Sequence, residues 1–588
     1  MIFGKHINKY YLKYSLFLLI AIASLITVDY YQLFIPEKMQ IIIDAIEDKS
    51  INIKLLDDTI YFIIKIVLIV FFGRILWRLF FYLTSHNIEE DLNNTMYKKC
   101  LNLSQRYYKK NKTGAIMSLF TNDVLAVKNS FSSAMLMMFD SLVFGGLIIY
   151  KMFKINSFLS AITVIPLIIL GFLGIFISKK LQKLFLIQQE AFEKMNDFVQ
   201  ENFSGIRVIK AFVKEQIEIK EFYKLNKDNR NKNYNFAKFY IILNVLINLI
   251  ISIIFIIIIG LGGYFVHINY HNLTIGMLTE YFMYFMSLLW PLMAISQFMS
   301  LRSQAKASYQ RIAKLLDEKI DITNLNIDNK DLKLNNFKGK IVFKNLDFSY
   351  PDSNIKNLNN ISFTINPLEK VGIIGKTGCG KSTIVDILLR IYNVDKNKVF
   401  LDGYDIMDLD YKLVRNLIGY VPQDNFLFSK DINNNIAFSS EFINKDKVIE
   451  SSKLAGVYDN IINFENGFET KLGERGVTVS GGQKQRISIA RAIYKDPKIL
   501  ILDDSLSAVD VKTEKEILNN FDTISKNKTL IVIAHRISTI KDLDKIIILD
   551  EGKIVGYGTY EELKNNNPHF KKLLQIQSLE EGLYEEGK

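Results

Sequence analysis

Long apolar blocks in the first half of this 588-residue chain constrain its fold more than any other feature. A helix needs about 20 apolar residues to cross the roughly 30 Å hydrocarbon core of a bilayer, and each block is at least that long. Backbone groups without hydrogen-bond partners are costly in lipid, so we predict that each block forms a membrane-spanning helix. The blocks lie near residues 14–36, 59–82, 131–153, 156–178, 238–267 and 275–300.

Lysine and arginine residues are unevenly distributed around these blocks. They precede the first block and crowd the connections after the second and the fourth, whereas the loop at 37–58 is acidic. By the positive-inside rule, we predict a multi-pass membrane protein with both chain termini in the cytoplasm. The abundance of Ile, Asn and Lys is compatible with an AT-rich bacterial genome, so the expected location is a bacterial cytoplasmic membrane. The same flanking charges account for the formal net charge of +12, and no basic–aromatic motif indicates nucleic acid as a partner.

Two connections between the predicted spans, 83–130 and 179–237, are long and helix-like. We therefore expect the flanking helices to continue well beyond the hydrocarbon region. Each connection contains a segment with tight-turn residues, at 102–123 and at 201–215.

Ionisable residues within the predicted spans are few, and intramembrane charges tend to face a cavity or a partner. Asp29, Lys65, Arg74 and Asp140 are the candidates. Lys65 and Arg74 lie close enough to span ends for their side chains to reach the interface, so Asp140 is the better functional candidate. Sulfur-containing and aromatic side chains in the spans could either line an adaptable apolar cavity or pack against lipid and neighbouring helices. These are Met135, Met138, Tyr281, Tyr284, Met286 and Trp290.

The composition changes after the sixth block. Residues 319–338 are rich in Asn, Asp and Lys, and we predict that they link an α-helical transmembrane domain, 1–318, to a second domain. Strand-like and helix-like segments alternate over 339–575, which is typical of a nucleotide-binding α/β domain. An acidic tail, 576–588, follows.

A phosphate-binding loop is predicted near the start of the second domain. Strand-like residues 371–374 lead into a segment that matches the pattern G-x-x-x-x-G-K-[ST], and a helix-like segment follows it. Glycines in such a loop let backbone N–H groups surround phosphates, while Lys381 neutralises phosphate oxygens and the Ser382 hydroxyl reaches Mg²⁺. The candidate nucleotide-binding residues are Gly375, Lys376, Thr377, Gly378, Cys379, Gly380, Lys381, Ser382 and Thr383.

Cys379 lies inside this loop and is one of only two cysteines in the chain, the other being Cys100. With two cysteines, no disulfide framework is expected. The Cys379 thiol is either accessible, in which case alkylation should block nucleotide binding, or a small buried group that fits the turn.

A second motif, 479–510, brings a glycine-rich turn close to a pair of carboxylates. Residues Ser480, Gly481, Gly482 and Gln483 open a helix-like segment, whose free N–H groups can hold a phosphate. The apolar run 499–502 is typical of a buried parallel strand and ends at Asp503 and Asp504. Carboxylates at the end of such a strand lie where open α/β sheets bind their ligands, so we predict a nucleotide and Mg²⁺ site there.

These motifs, in this order, resemble those of type IV ABC exporters, and the resemblance to a half-transporter of the multidrug or lipid type covers essentially the whole chain. It implies that Tyr350 stacks on the adenine of ATP. It also implies that Gln423 helps to hold Mg²⁺ and senses the coupling helices, and that His535 is the switch histidine. Gln423, His535 and Asp504 are the predicted catalytic residues. Asp503 matches the Walker B aspartate, a Mg²⁺ ligand.

The resemblance also assigns segments that act between subunits or domains. Residues 480–483 match the signature that grips the γ-phosphate bound to the opposite subunit, and 507–510 match the D-loop. Residues 470–476 look like the exporter-type segment that touches the intracellular helices. Residues 102–123 and 201–215 look like intracellular segments with coupling helices; soluble hairpins without a coupling role are the alternative.

Asp504 departs from the family pattern, which places a catalytic glutamate directly after the Walker B aspartate. Aspartate is one methylene shorter, so its oxygen would lie about 1 Å from where the attacking water requires it, a displacement that can cost about 100-fold in rate. With 480–483 and His535 intact, this pattern resembles the degenerate subunit of bacterial heterodimeric exporters. A homodimer with slow but sufficient hydrolysis is the alternative.

The predicted function is ATP-driven export or flipping of a hydrophobic or amphipathic substrate across the cytoplasmic membrane. ATP and Mg²⁺ are the expected cofactors, and a second half-transporter, the lipid membrane and a small-molecule substrate are the expected partners. Two alternatives remain: a regulatory nucleotide-binding subunit with negligible turnover at its own site, and an importer built on the exporter fold. Drugs, lipids and peptides all use this architecture, so the fold does not identify the substrate.

Overall fold

The chain forms two compact units in the computed structural model. The first comprises Met1–Cys100 and Thr113–Asp317, and the second comprises Leu101–Lys112 and Glu318–Lys588. The short segment Leu101–Lys112 therefore belongs to the second unit, although both stretches that flank it in sequence belong to the first. The structure describes residues 4–50, 52–323, 337–473, 476, 478–505, 517–520 and 523–586, with the backbone alone described for 168–179, 182 and 578–586.

The chain up to residue 317 is helical, and four of its helices contain 43 to 53 residues. The helices are α1 Asn8–Lys13, α2 Ser15–Gln32, α3 Phe34–Glu47, α4 Ile53–Asn102, α5 Gln105–Lys110, α6 Thr113–Ser118, α7 Val124–Phe131, α8 Ser133–Phe139, α9 Gly145–Ile155, α10 Ser157–Ser204, α11 Ile206–Ala211, α12 Glu215–His267 and α13 Ile275–Asp317. π-helical turns at Leu119–Asp123 and Asp140–Phe144 connect α6 to α7 and α8 to α9.

Five helical segments of the described residues are long and apolar enough to cross a membrane. They are Ser15–Glu47, Ile53–Asn102, Thr113–Ile155, Glu215–His267 and Ile275–Asp317. The sixth predicted span, 156–178, lies at the start of α10, whose described apolar part is Ser157–Leu167. The prediction that helices continue beyond the spans is confirmed, since α4, α10 and α12 extend far past the predicted span ends.

The first unit packs around α13, which contacts α3, α7, α8 and α9, while α10 lies along α12. Its interior contains large side chains that are fully buried, including Ile148, Tyr281 and Phe285. By contrast, α4 and α12 expose many large apolar side chains, such as Phe71, Phe72 and Ile256. Extended apolar faces of this kind suit contact with lipid or with a partner subunit.

The second unit contains two sheets with helices around them. The strands are β1 Ile341–Phe348, β2 Leu358–Ile365, β3 Lys370–Gly375, β4 Val399–Leu401, β5 Tyr404–Asp405, β6 Ile418–Val421, β7 Ile499–Asp503, β8 Thr529–Ile533, β9 Lys545–Asp550 and β10 Lys553–Gly558. The helices, besides α5, are α14 Lys381–Leu388, α15 Tyr411–Leu417, α16 Ile432–Ile436, α17 Lys445–Leu454, α18 Tyr458–Ile462, α19 Gly481–Tyr494, α20 Tyr560–Asn566 and α21 Pro568–Glu586.

The larger sheet determines where the candidate site lies. Its strand order is β10-β9-β3-β8-β7-β6, and all neighbours from β9 to β6 are parallel. Every residue of β7 and β8 is buried, as expected for strands covered on both faces. Because β3, β8, β7 and β6 run in one direction, the segments that follow them meet at one edge of the sheet. The smaller sheet, β2-β1-β4-β5, is antiparallel.

Candidate nucleotide site

The loop between β3 and α14 has the conformation that the glycine pattern predicts. Gly378 and Gly380 have φ angles of +82° and +105°, which side chains rarely adopt. A Cβ atom on Gly375 would lie 2.1 Å from the Leu549 carbonyl oxygen, so only glycine fits there. The loop ends at the N-terminus of α14, where unpaired N–H groups and the helix dipole favour an anion.

Lys381 is buried in this loop, with 7% of its surface exposed. Its Nζ atom donates to the carbonyl oxygens of Gly375 and Lys376 at 2.7 and 2.9 Å. The ammonium group is therefore held at the centre of the loop, where it can neutralise phosphate oxygens. Lys376, Thr377, Gly378 and the Ser382 side chain are exposed around it. These residues fit the polyphosphate of a nucleotide.

Cys379 is the buried member of the loop, with 4% of its surface exposed. Burial raises the pKa of its thiol. Of the two possibilities left open by the sequence, the geometry favours the small buried group that fits the turn, because a thiol that is both buried and protonated reacts poorly.

Asp503, at the end of β7, provides a buried carboxylate beside the phosphate loop, with 3% exposure. Burial raises its pKa, and hydrogen bonds from the Ser382 and Tyr420 hydroxyl groups oppose that effect. The Tyr420 hydroxyl donates to Oδ2 of Asp503 at 3.3 Å. A carboxylate and a serine hydroxyl are hard oxygen donors, which suit Mg²⁺.

No group of three or more His, Cys, Asp or Glu side chains that could hold a metal occurs in the part of the chain that the structure describes. Mg²⁺ in nucleotide sites needs no such cage, because it retains waters and is bound by one or two protein oxygens together with substrate phosphates. The Ser382 hydroxyl and the Asp503 carboxylate fit this kind of site and would be its protein donors.

Asp504 follows Asp503 in a left-handed backbone conformation, with φ at +47°. Its N–H donates to the carbonyl of Ile533 at 2.9 Å, and its own carbonyl accepts from Gln485 Nε2 at 3.1 Å. Its Oδ2 atom accepts a hydrogen bond from Gln423 Nε2 at 3.2 Å. The two predicted catalytic residues that follow neighbouring strands β7 and β6 are thus in direct contact.

His535 is exposed and follows β8, the strand between β3 and β7. Asp503 pairs with Ile533 across the β7–β8 ladder, which places His535 two residues beyond the level of Asp503. Its carbonyl oxygen accepts from Gln577 Nε2 at 2.6 Å, which anchors the backbone after the strand. The order of the strands therefore brings the phosphate loop, Gln423, the two aspartates and the segment of His535 to one edge.

The glycine-rich turn before α19 is also formed as predicted. Ser480 caps the helix: its Oγ accepts from the Gln483 N–H at 3.3 Å, and Gln483 Oε1 accepts from the Ser480 N–H at 3.0 Å. This reciprocal capping box fixes the turn. Ser480 and Gly481 are exposed at the start of a 14-residue helix, so the helix N-terminus is available to an anion. The predicted D-loop, 507–510, lies outside the described residues, as do Glu474 and Arg475 of the segment 470–476.

Tyr350 lies in the loop after β1, beside the phosphate loop. Its hydroxyl group is 3.0 Å from Oγ1 of Thr383 on α14, and its ring packs edge-on against Tyr392, with centroids 5.1 Å apart. The Nζ atom of Lys109 lies 4.9 Å from the centroid of the Tyr350 ring. An aromatic ring tied to the first turn of α14 is well placed to receive a base whose phosphates bind the loop.

Sequence reasoning missed a group of contacts that α5 makes in the second unit. Asp352, two residues after Tyr350, accepts hydrogen bonds from Arg106 Nε at 3.0 Å, from Arg106 Nη2 at 2.8 Å and from Lys110 Nζ at 2.7 Å. Arg106, and next Lys110, lower the pKa of Asp352 to about 2. We call these contacts the α5 clasp: Arg106 and Lys110 bind Asp352, and Lys109 lies over the Tyr350 ring. The basic run in 102–123 was visible in the sequence, but nothing there identified its acidic partner.

A membrane-spanning helical unit joined to a P-loop α/β unit defines a class of ATP-dependent membrane proteins. Comparison with known proteins identifies the family. Residues 18–292 match the model of the ABC transporter transmembrane region, and residues 358–507 match that of the ABC transporter ATPase domain.

Curated relatives are similar over nearly their whole length. The chain is 33% identical to a probable multidrug resistance ABC transporter ATP-binding/permease protein, YheI of Bacillus subtilis, over 98% of this chain and 97% of that one. It is 30% identical to the multidrug resistance-like ATP-binding protein MdlA of Escherichia coli, over 96% and 94%. A solved bacterial Atm1-family ABC exporter with ATP bound has a similar fold, with a TM-score of 0.74 at 23% identity and coverage of 97% and 98%.

The chain belongs to the ABC transporter family, with transmembrane and ATPase regions fused in one polypeptide. It is a multi-pass membrane protein with the fold of ABC exporters. Its general activity is ATP-driven transport across a membrane.

Proposed function

We propose that this protein is one half of a dimeric exporter that uses ATP to move hydrophobic or amphipathic compounds out of the cytoplasm. The names of the curated relatives, a probable multidrug resistance transporter and a multidrug resistance-like protein, support this substrate class. Both termini, and therefore the ATPase domain, lie in the cytoplasm in this proposal, as the Lys/Arg distribution indicates.

The observation that carries the proposal is the convergence of the site residues at one edge of the sheet. The loop at 375–383 and Lys381 would bind the phosphates, and Tyr350 would receive the adenine. Ser382 and Asp503 would hold Mg²⁺, assisted by Gln423. When bound, Mg²⁺ supplies positive charge to the β- and γ-phosphate oxygens.

Two such sites form between paired subunits in this proposal. Ser480, Gly481, Gly482 and Gln483 would contact the γ-phosphate held by the partner subunit, because the helix N-terminus that they form is exposed and fixed by its capping box. Asp504 would orient the attacking water with help from His535 in the chain's own site. Since Asp504 is short for this task, we propose that this site is slow and that the partner is a different half-transporter with a glutamate at the equivalent position.

The α5 clasp supports coupling between ATP binding and the membrane helices. α5 follows shortly after α4, the helix that contains the predicted span 59–82. Arg106 and Lys110 of α5 bind Asp352, which lies beside Tyr350, the residue proposed to contact adenine. Closure of the nucleotide site would therefore act on a segment that continues into a membrane helix. The corresponding proposal for 201–215 rests on the sequence resemblance alone.

Transport by inside-out vesicles tests the proposal. Vesicles that contain this chain and its partner should accumulate an amphipathic dye when ATP is added. Vesicles in which Lys381 of this chain and the equivalent lysine of the partner are both replaced by alanine should not. ATP-dependent loss of dye from the same vesicles would contradict export and would favour import. Transport that survives with no measurable ATP hydrolysis at this chain's site would favour the regulatory-subunit alternative, which Asp504 also supports.

A further inference from the structure

The predicted switch histidine, His535, lies in a short exposed bend between two buried anchors. Ala534 comes directly before it and Ile537 two residues after it, and both are buried. The Ala534 N–H donates to the Ile373 carbonyl of β3 at 3.2 Å, and a 3₁₀ turn begins at Ile537. The two ends of the bend are thus fixed by the core. The placement of His535 depends on what holds the bend between them.

One side chain of α21 holds the bend at two points. Gln577 Nε2 donates to the His535 carbonyl oxygen at 2.6 Å, and Gln577 Oε1 accepts from the Ile537 N–H at 2.8 Å. The side-chain amide therefore pairs with one main-chain acceptor and one main-chain donor at the same time. Because the amide is planar, the two bonds together fix the orientation of the bend as well as its position.

α21 is anchored in the core of the second unit before it reaches the bend. Asn567, just before the helix, accepts from the Phe570 N–H at 3.0 Å and donates to the Val555 carbonyl of β10 at 2.8 Å. The Phe570 side chain is fully buried, and its ring centroid lies 5.6 Å from that of Tyr560 on α20. The helix that carries Gln577 can therefore act as a fixed support for the bend.

Gln577 occupies a place on α21 where the pattern of the helix favours an apolar side chain. Phe570, Leu573 and Leu574 pack on a hydrophobic cluster of the second unit, and this cluster also contains Ile537. With Gln577 they have the spacing i, i+3, i+4 and i+7, so all four lie on one face of the helix. An apolar residue at position 577 would extend the packed face, whereas glutamine makes two bonds to the bend instead. This choice of residue indicates a requirement of the bend itself.

We propose that Gln577 is a positioning residue for His535: through its two main-chain bonds, α21 holds the histidine where the imidazole reaches the γ-phosphate of bound ATP. The inference rests on the proposed role of His535 in this chain's own site and adds the element that supports that role. A hydrogen bond from the imidazole to a charged phosphate oxygen requires close placement. Loss of the Gln577 bonds therefore weakens recognition of the γ-phosphate, while the loop at 375–383 still binds the rest of the nucleotide.

Nucleotide binding tests this proposal without relying on hydrolysis, which is proposed to be slow at this site. The sample is the purified full-length complex in lipid nanodiscs, with alanine in place of the partner subunit's phosphate-loop lysine, so that only this chain's site binds nucleotide. The measured quantity is the dissociation constant of Mg²⁺–ADP divided by that of Mg²⁺–AMP-PNP, a non-hydrolysable ATP analogue. We call it the γ-phosphate ratio, because the two ligands differ chiefly in the γ-phosphoryl group.

The γ-phosphate ratio should fall in two of three single variants. We expect His535→Ala to lower it at least about tenfold, the size typical of a hydrogen bond to a charged group. Gln577→Met keeps the length of the side chain but makes neither bond, so it should lower the ratio about fivefold. Gln575→Met is the matched control, since it makes the same change at an exposed position on α21, and it should leave the ratio unchanged.

Two further variants separate positioning from a general structural role. In the His535→Ala background, Gln577→Met should have no additional effect on the γ-phosphate ratio, because a positioning residue acts through the residue that it holds. Gln577→Glu can still accept from the Ile537 N–H but cannot donate to the His535 carbonyl. Hydrogen exchange at Ile537 should therefore accelerate in Gln577→Met and not in Gln577→Glu, whereas both substitutions should lower the ratio.

An unchanged γ-phosphate ratio in Gln577→Met, beside a lowered ratio in His535→Ala, would overturn this inference and leave the proposed role of His535 intact. An unchanged ratio in His535→Ala would overturn that role and the inference with it. Equal losses of ADP and AMP-PNP affinity in Gln577→Met, additive losses in the double variant, or unchanged exchange at Ile537 would also overturn the inference. None of these outcomes depends on transport, so failure of the export proposal would be seen separately in the vesicles.

Discussion

Replacement of Asp504 by glutamate should accelerate ATP hydrolysis at the site that contains this chain's phosphate loop. The Asp504 backbone is held from both directions, by its N–H bond to Ile533 at 2.9 Å and by the Gln485 bond to its carbonyl at 3.1 Å. The backbone therefore cannot shift to compensate for a short side chain. One additional methylene group extends the carboxylate by about 1 Å, the displacement that separates a well-placed base from a poor one.

The size of the effect follows from this geometry. A 1 Å misplacement can cost about 100-fold in rate, which corresponds to about 2.7 kcal/mol in the activation free energy. The left-handed conformation at φ +47° is less favourable for glutamate than for aspartate, and strain of this kind costs on the order of 1 kcal/mol. That strain lowers the free energy of unfolding but does not lower the rate of ATP hydrolysis. We therefore expect a 10- to 100-fold faster site in a slightly less stable domain.

The assay is steady-state ATPase activity of the purified complex. Asp504→Asn should change the total rate by less than about twofold if the other site carries most turnover, whereas Ser480→Tyr should remove most activity because it blocks that competent site in trans. Asp424→Glu is the matched control, since it adds the same methylene at an exposed carboxylate next to Gln423. If Asp504→Asn abolishes turnover, Asp504 is the catalytic base, and the hypothesis of a homodimer replaces that of a heterodimer.

Three further predictions concern the α5 clasp, the Cys379 thiol and the membrane topology. Asp352→Asn removes the acceptor of the α5 clasp, so substrate should stimulate ATPase activity less while the basal rate is maintained; Asp347→Asn, at an exposed ion pair with Lys356, should leave stimulation unchanged. Cys379 is buried and its thiol pKa is raised, so a maleimide at pH 7 should label Cys379 slowly in the native protein and rapidly in urea-unfolded protein. Rapid labelling of the native protein that ATP slows would contradict this. Single cysteines within 40–55 should react with an impermeant maleimide outside intact cells and those within 102–125 should not; the reverse pattern would overturn the topology.

Local structure in the second unit could be predicted well from the sequence. The run at 499–502 is apolar and β-branched, and it forms a strand buried along its whole length. The loop at 375–382 requires positive φ angles at two of its glycines, and glycine occurs at both positions. In each case the physical cause lies within a few adjacent residues, which is why the pattern was sufficient.

The order of the strands was not available from the same reasoning. β8 lies between β3 and β7, although it follows both in the chain, and this insertion brings the His535 segment beside Asp503. Strand order depends on long-range packing that no local pattern encodes. The left-handed backbone at Asp504 is another such case, because its N–H and carbonyl bond to Ile533 and Gln485, which are distant in sequence.

Tertiary contacts between charged residues were the least predictable part, and they bear most on function. Arg106 and Lys110 looked like part of a basic flank that sets membrane orientation, yet both bind Asp352, more than 240 residues away. Asp140 was singled out for its position in a span, but its donor, Trp290, was considered only as a component of an apolar face. A charge pattern indicates which residues need a partner, because an unpaired charge is costly in a poorly solvated place. Only the fold shows whether that partner is solvent or another residue.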